Sequence, residues 1–493
     1  MNAMKRSLAV ITAALATLSA RPAAAQAIPD HPDKLSFRPI AFTPPSARDY
    51  RVVLKNGMVV FIAEDKTLPL VSIALSVRTG RYLEPPGKEG LAGFTGSQIR
   101  RGGTKSKSAE ELDERLDFLA AQASTGIGDT AGSASLNCLS DNLDLALELF
   151  AEMLREPRFQ QDRLQLAKDN TLQEMKKRND ESATIEGREW GVLMYGPKHF
   201  GNRLSTEASV KSITRDDLVA FHKSYFHPAN MVAAVSGAFS KAEMLGKLEA
   251  AFASWPPPKP TVPAVPTAVE PAAPGLYRIQ KDVNQGRVSI GLLGVKRDSP
   301  DIYALEVMNE ILGGGGFIAR ITKTVRSNEG LAYSAGSAVG FGTYYPGMFR
   351  AAFQSKSRTV AYAAQLVLEE IRKMREAPVT PEELSTVKNN LTQTFPSQWA
   401  SKGQAMSIFA SDEYTRRDPT YWAGYRDRIQ AVTPADIQRV ARTYLLPEKM
   451  AILVVGDQKE IDVGDDKHPI KLLALAPRGK VETLPLRDPM TMK

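Results

Sequence analysis

Apolar and polar positions follow two rhythms along this chain, and both rhythms occur twice. VSIALSV (71–77) and VSIGLLG (288–294) are apolar runs of strand length, and they recur at an offset of 217. ITRDDLVAFHKSYFHPANMVAAVSG (213–237) and VTPADIQRVARTYLLPEKMAILVVG (432–456) share Thr214/Thr433, Asp217/Asp436, Tyr225/Tyr444, Pro228/Pro447 and Met231/Met450, all at an offset of 219. Each copy reads as a Thr N-cap, a helix that ends before a proline, and an apolar run predicting a buried strand. SAEELDERLDFLAAQ (108–122) and DNLDLALELFAEMLREP (141–157) have helical spacing with acidic first turns. Asn56-Gly57, between YRVVL and MVVFIAE, predicts a two-residue hairpin.

The repeat implies tandem duplication of an α/β unit of roughly 200 residues, hence an α+β protein. Between the copies, eight of the nineteen residues 256–274 are proline, which excludes a helix interior or a central strand and predicts an extended spacer. The expected organisation is therefore a first domain over 40–255, a linker over 256–275 and a second domain over 276–480. At the start, Lys5 and Arg6 precede an apolar run, and RPAAAQA supplies small-residue cleavage sites, so residues 1–27 read as a signal peptide for export, to the periplasm in a Gram-negative host. That run is too short to span a bilayer, and no later stretch is long and apolar enough.

Charge and cysteine usage narrow the chemistry. Removing residues 1–25 takes away Lys5, Arg6 and Arg21 and no acid, so the formal charge falls from +8 to +5. That mild excess forms no basic stripe and is not interleaved with aromatics, so no nucleic-acid partner is expected. Cys138 is the only cysteine, which rules out an internal disulfide or a thiolate metal cluster and suits a small buried apolar residue. The five histidines, His31, His199, His222, His227 and His468, are scattered, and each is expected in a structural or solvated role. No G-x-S-x-G, Ser-His-Asp order or Cys-His arrangement supports another hydrolase.

A duplicated unit of this size, with G-L-A-x-F opening a helix at Gly90 and V-R-x-x-x-G-L-A-Y-S from Val325, resembles the pitrilysin/insulinase family of zinc peptidases, whose catalytic helix carries H-x-x-E-H. The resemblance spans nearly the whole mature chain. It implies two homologous domains, each a sheet with helices packed on it, forming a clam-like half chamber. In active members two histidines and a distal glutamate hold zinc, and the motif glutamate activates water. Here the histidine positions are Gly93 and Ser97 and the base position is Gly96, none of which can ligate or take a proton. Only the distal position keeps its residue, Glu174, which otherwise reads as a surface helix residue near Lys177 and Arg178.

The second half keeps what the first has lost. Arg326 and Tyr333 stand where the family carries the pair that holds the substrate backbone and stabilises the tetrahedral intermediate. Arginine offers a permanent planar fork and tyrosine a neutral donor. Gly313 to Gly316 read as a joint between two helices that permits close packing or movement, without the Lys-Ser/Thr of a phosphate loop. The resemblance therefore implies a non-catalytic subunit with no metal or cofactor of its own. Its expected partner is a homologous H-x-x-E-H chain that brings the zinc, and its substrate a peptide. A peptidase-like scaffold or binding protein is the alternative.

Overall fold

The alternation is realised as strands with one buried face: Val71, Ile73, Leu75 and Val77 are buried, and Leu70, Ser72, Ala74 and Ser76 lie on the other side. The structure, a computed structural model, describes residues 30–31, 34–35, 41–253, 255 and 262–493. The leader expected over 1–27 lies outside the described residues. Residues up to Phe42 form one unit, where Lys34 pairs with Asp30 at 2.7 Å, and Thr43–Lys493 form another.

The larger unit holds two sheets built on one plan. β1 (Arg51–Val53), β2 (Val59–Glu64), β3 (Leu70–Val77), β4 (Gln122–Ile127), β5 (Gly132–Leu139) and β6 (Met231–Gly237) form a sheet of order β1-β2-β6-β3-β5-β4. In the second half come β7 (Gly275–Gln280), β8 (Gln285–Leu293), the short β9 (Val295–Lys296), β10 (Ala335–Val339), the short β11 (Phe341–Gly342), β12 (Met348–Lys356), β13 (Ala451–Gly456) and β14 (Val481–Thr483). Their sheet runs β10-β12-β8-β13-β7-β14, with β9 and β11 paired apart. Read from opposite ends, the two orders coincide over five strands, β2-β6-β3-β5-β4 against β7-β13-β8-β12-β10, and differ at the sixth, where β1 precedes β2 and runs antiparallel to it while β14 ends the second half and runs parallel to β7. β6 and β13 each sit between one parallel neighbour (β2, β7) and one antiparallel neighbour (β3, β8).

The first half adds α1 (Leu91–Arg101), α2 (Ala109–Phe118), α3 (Leu143–Arg155), α4 (Gln161–Lys176), α5 (Ser182–Tyr195), α6 (Glu207–Ser212), α7 (Arg215–Tyr225) and α8 (Lys241–Phe252). The second adds α9 (Ile302–Asn309), α10 (Val360–Glu376), α11 (Pro381–Thr394), α12 (Lys402–Thr415), α13 (Tyr421–Ala431), α14 (Pro434–Tyr444) and α15 (Gln458–Val463). The repeated threonines close capping boxes, Thr214 with Asp217 on α7 and Thr433 with Asp436 on α14, each worth about 0.5–2 kcal/mol. Most of the first-half helices bury their apolar stripes in one core with Val60, Ile62, Val71 and Ile73.

The opposite face of each sheet is covered by a helix from the other half. α12 lies across β2, β3 and β6, where Phe409 meets Phe61 and Tyr50 at 5.9 Å ring separation each, and the buried Tyr414 hydroxyl donates to Val77 O (3.2 Å) and Thr130 O (2.8 Å). α5 lies on β8 and β13 and buries Ile185, Trp190 and Leu193 against Tyr277, Ile279 and Leu453. The same helix sinks Glu186 among Arg287 Nε (2.7 Å), Arg350 Nη2 (2.9 Å) and Ser289 Oγ (2.6 Å), so a buried charge is matched across the halves. Exchange of covering helices locks the two copies into one body.

Two local details differ from expectation or refine it. The hairpin loop has three residues, 55–57, closed by Leu54 N–H to Met58 O at 2.9 Å. Gly57 adopts φ +87° and the Asn56 side chain accepts from Met58 N at 3.1 Å, so the glycine serves as the left-handed third loop residue. The described part of the spacer, 262–274, has neither helix nor strand and is tied to the end of α5 by Glu270 N–H to Tyr195 O (3.1 Å) and Ala272 N–H to Leu193 O (2.8 Å).

Candidate functional site

α1 is preceded by Gly90, an N-cap at φ +108° that, being glycine, has no side chain to cap the helix. Glu84 serves instead, its Oε1 accepting from Gly90 N (3.1 Å) and Ala92 N (2.8 Å), while burial pushes its carboxyl pKa up. Beyond this start, Gly93 and Ser97 face a cavity of about 330 Å³ shared with Glu174 of α4 and with Arg101, Asn170 and Ser205. Three of the four inherited positions therefore do converge. A Cβ on Gly93 would meet nothing within 4 Å. The Ser97 hydroxyl is turned back to Phe94 O at 3.1 Å, and the exposed Glu174 carboxylate has no ion pair among the described residues. Arg178 is occupied elsewhere, donating to Ser205 O (2.7 Å) and Pro489 O (3.1 Å).

Gly96, the base position, lies outside that cavity's lining and is sealed. A Cβ there would fall 2.4 Å from Ile127 N and 2.7 Å from Gly126 C, because the edge strand β4 packs directly on the helix. Thr125 Oγ1 fastens the same contact by donating to Gly96 O at 2.6 Å. The offset of 217 carries Gly96 to Gly313, and there the packing repeats: a Cβ on Gly313 would fall 2.3 Å from Ser337 N of the edge strand β10. The expected glycine joint is thus a packing contact at Gly313, and among the four glycines only Gly316 adopts positive φ, at +66°.

Past α9 the chain leaves regular α-helix. Glu310–Gly314 and Thr322–Asn328 wind as π-helix on either side of a 3-10 turn at Gly316–Ile318, where the sequence predicted an ordinary helix from Phe317. The β-branched Ile321, Thr322, Thr324 and Val325 are poor helix formers, and Thr322 Oγ1 donates to Ala335 O at 2.7 Å, anchoring the irregular turn to β10. This segment presents Arg326, whose guanidinium carbon lies 4.7 Å from the Tyr333 ring centroid and 4.5 Å from that of Phe317. Tyr333 is 85% exposed and Phe317 67%. Among the described residues the Arg326 side chain has no carboxylate partner, whereas Arg320 one helical stretch earlier is held by Glu383 through two 2.7 Å bonds. Sequence reasoning missed Phe317, which has no pattern to mark it, and the sealed state of Gly96, which the 217 offset to Gly313 could have suggested.

His222 and His227 line one cavity with Glu156 and Trp255, and His199 and His468 do not reach it. His222 on α7 is buried with Nε2 at 2.8 Å from Leu154 O, and desolvation pushes its pKa down to about 4. His199 sits in a ring cluster with Tyr195, Phe200 and Tyr345, and His468 stacks on Tyr362 at 3.7 Å. Cys138 is buried, which pushes its thiol up to about 11. No group of three metal-capable side chains converges among the described residues, and no helix there is long and apolar enough to cross a membrane.

Comparison with known proteins decides the family. Residues 59–189 match the insulinase family (peptidase family M16), and residues 212–391 match the peptidase M16 inactive domain, together well over half the chain. The chain belongs to peptidase family M16. Among M16 relatives it is 23% identical to an uncharacterized zinc protease of Streptomyces coelicolor over 420 residues, 83% of this chain and 90% of that one. It is 24% identical over 440 residues to a probable mitochondrial-processing peptidase subunit beta of Arabidopsis thaliana, covering 84% of this chain and 80% of the relative. A solved M16 inactive domain from Pseudomonas fluorescens has the same fold, with a TM-score of 0.74 at 24% identity over 82% of this chain and 97% of its own. The family's zinc does not fit the residues present: two glycines and a serine offer no imidazole, and a single exposed carboxylate does not hold the ion. This M16 member thus joins an insulinase-family first half that lacks the ligands of a zinc site to an M16 inactive domain.

Proposed function

We propose that the chain is the non-catalytic subunit of a two-chain exported zinc endopeptidase, offering Arg326 and Tyr333 in trans to the site of a homologous H-x-x-E-H partner. The observation that carries the reading is that a chain with an emptied first-half helix keeps, in its second half, an arginine and a tyrosine in contact with each other, the tyrosine open to solvent and the arginine without a carboxylate partner among the described residues. A purely structural pair in an inactive chain would be expected to be buried or ion-paired, as Arg320 is. The similarity to a relative named as a subunit supports a divided enzyme. In the complex the partner would hold the zinc and the base, which would supply the activated water. Here the Arg326 fork donates to a backbone carbonyl of an extended peptide, and the Tyr333 hydroxyl donates to the scissile oxygen as charge gathers on it. Export through residues 1–27 to the periplasm places both chains in one compartment.

The test is to purify this chain and an H-x-x-E-H chain from the same host, then mix them. A heterodimer on size exclusion with peptidase activity absent from either chain alone is expected. Tyr333→Phe, which removes one hydroxyl, should lower kcat of the mixture by about 10- to 1,000-fold with assembly intact. A partner fully active alone and indifferent to this chain would establish the scaffold reading instead.

A further inference from the structure

An exposed phenylalanine on a glycine-rich turn calls for an explanation, since water contact with an aromatic ring is unfavourable and nothing in the core requires it. Phe317 follows Gly316, whose φ of +66° turns the chain out of the preceding π-helical stretch, and its ring lies beneath the Arg326 guanidinium at 4.5 Å. Tyr333 contacts the same guanidinium at 4.7 Å from the other end of the segment. The two rings are the only side-chain partners of that group among the described residues. An arginine held by ring faces is oriented without spending hydrogen bonds, so its five N–H donors remain available at the edge of its plane. Arg320, gripped edge-on by Glu383, shows the contrary arrangement, in which the donors of one edge, at Nε and Nη2, are taken by a carboxylate.

We propose that Phe317 is a positioning residue: its ring, with that of Tyr333, holds the Arg326 guanidinium so that its donor edge faces the carbonyl or carboxylate of a bound peptide. The proposal rests on the trans role of Arg326 argued above. Without the ring the guanidinium samples other rotamers, and the productive one is populated less.

Two measurements test it separately. The first uses this chain alone, labelled with 15N-arginine, with the Arg326 side-chain Nε–Hε signal assigned by its loss in Arg326→Lys. Phe317→Leu, which keeps apolar bulk and removes the ring, should move that signal toward the position of free arginine, and Phe317→Trp should restore the ring-shifted position. An unchanged signal in Phe317→Leu overturns the ring contact. The second uses the mixed enzyme: Phe317→Leu should raise KM by about 2- to 5-fold at unchanged kcat, the size of one exposed cation–π contact, with Phe317→Trp near wild type. In an Arg326→Lys background Phe317→Leu should cost nothing further. An equal loss in both backgrounds would show that Phe317 acts independently of Arg326 and overturn the positioning role. If the wild-type mixture has no activity, the trans reading fails and the positioning role with it, and the arginine signal still decides whether the ring contact exists.

Discussion

α1 in the first half and the π-helical stretch at Glu310–Gly314 in the second are duplicates, and they differ in which demands they still meet. Both must press a helix onto an edge strand, and both do so through a glycine at the same offset, Gly96 on β4 and Gly313 on β10. Around that shared contact the first copy remains a regular α-helix with a cavity at its side, while the second breaks into π-helix and 3-10 turns that present Arg326 beside two exposed rings. Packing has thus been kept in both copies, while only the irregular copy presents an arginine against two exposed rings. The first copy also shows that loss of a site has degrees: the ligand positions Gly93, Ser97 and Glu174 still share open space, whereas the base position is filled by neighbouring backbone.

The strongest way to separate those two degrees is to put ligands back. Gly93→His with Ser97→His, acting with Glu174, should bind one zinc at micromolar affinity or better, about 8 kcal/mol, and Glu174→Gln should abolish it. Because the base position stays sealed, the zinc-loaded double variant should cleave no peptide. Titration with zinc under competing chelator, followed by a peptidase assay, checks both halves, and failure to bind metal would mean the cavity no longer has ligand geometry.

A smaller effect tests the shared contact itself. Gly96→Ala and Gly313→Ala should each lose about 2–3 kcal/mol, since the obstructing atoms are backbone and cannot give way cheaply. Gly93→Ala, on the open side of the same helix, should gain about 0.5–1 kcal/mol. Urea midpoints for the three variants settle this, and equal behaviour of Gly96→Ala and Gly93→Ala would refute the tight contact.

The third prediction, about 2 kcal/mol at pH 5, concerns a position where the copies diverge. The 219 offset pairs His222 of α7 with Ala441 of α14, and only the first half carries a buried imidazole. Its folded pKa, near 4 against an ordinary 6.5, means the unfolded chain takes up a proton that the folded chain refuses. Stability should therefore fall as pH drops from 6.5 toward 4, with no contribution above that window. In His222→Gln, which can still donate to Leu154 O, that part of the slope should vanish from urea midpoints measured at pH 7, 6 and 5. An unchanged slope would assign the acid sensitivity elsewhere.

Much of the architecture was legible because it is written in local patterns. The repeated threonine caps and the two apolar strands after them are short-range devices, and they recur in the sheets at equivalent places. The emptied positions were equally plain, since glycine and serine lack ligand atoms wherever they stand. Three features were not legible. The hairpin loop gained a residue through a side-chain bond from Asn56, the helix predicted from Phe317 became 3-10 and π-helix, and α5 and α12 crossed to cover the opposite half's sheet. An apolar helix face states that it will be buried and not against which sheet, because the hydrophobic effect carries no address.

By itself, then, the sequence determined the duplicated α+β plan, the M16 resemblance and the absence of histidine ligands, all of which depend on residue identity and spacing. Only the tertiary structure decided that the ligand positions remain around one cavity while the base position is closed, and that Arg326 meets Phe317 and Tyr333 with no ion pair among the described residues. Those are distances between segments far apart or irregularly coiled, set by how β4 and β10 seat on their helices. A difference of one ångström in that seating separates open space from a clash, and no pattern along the chain encodes it.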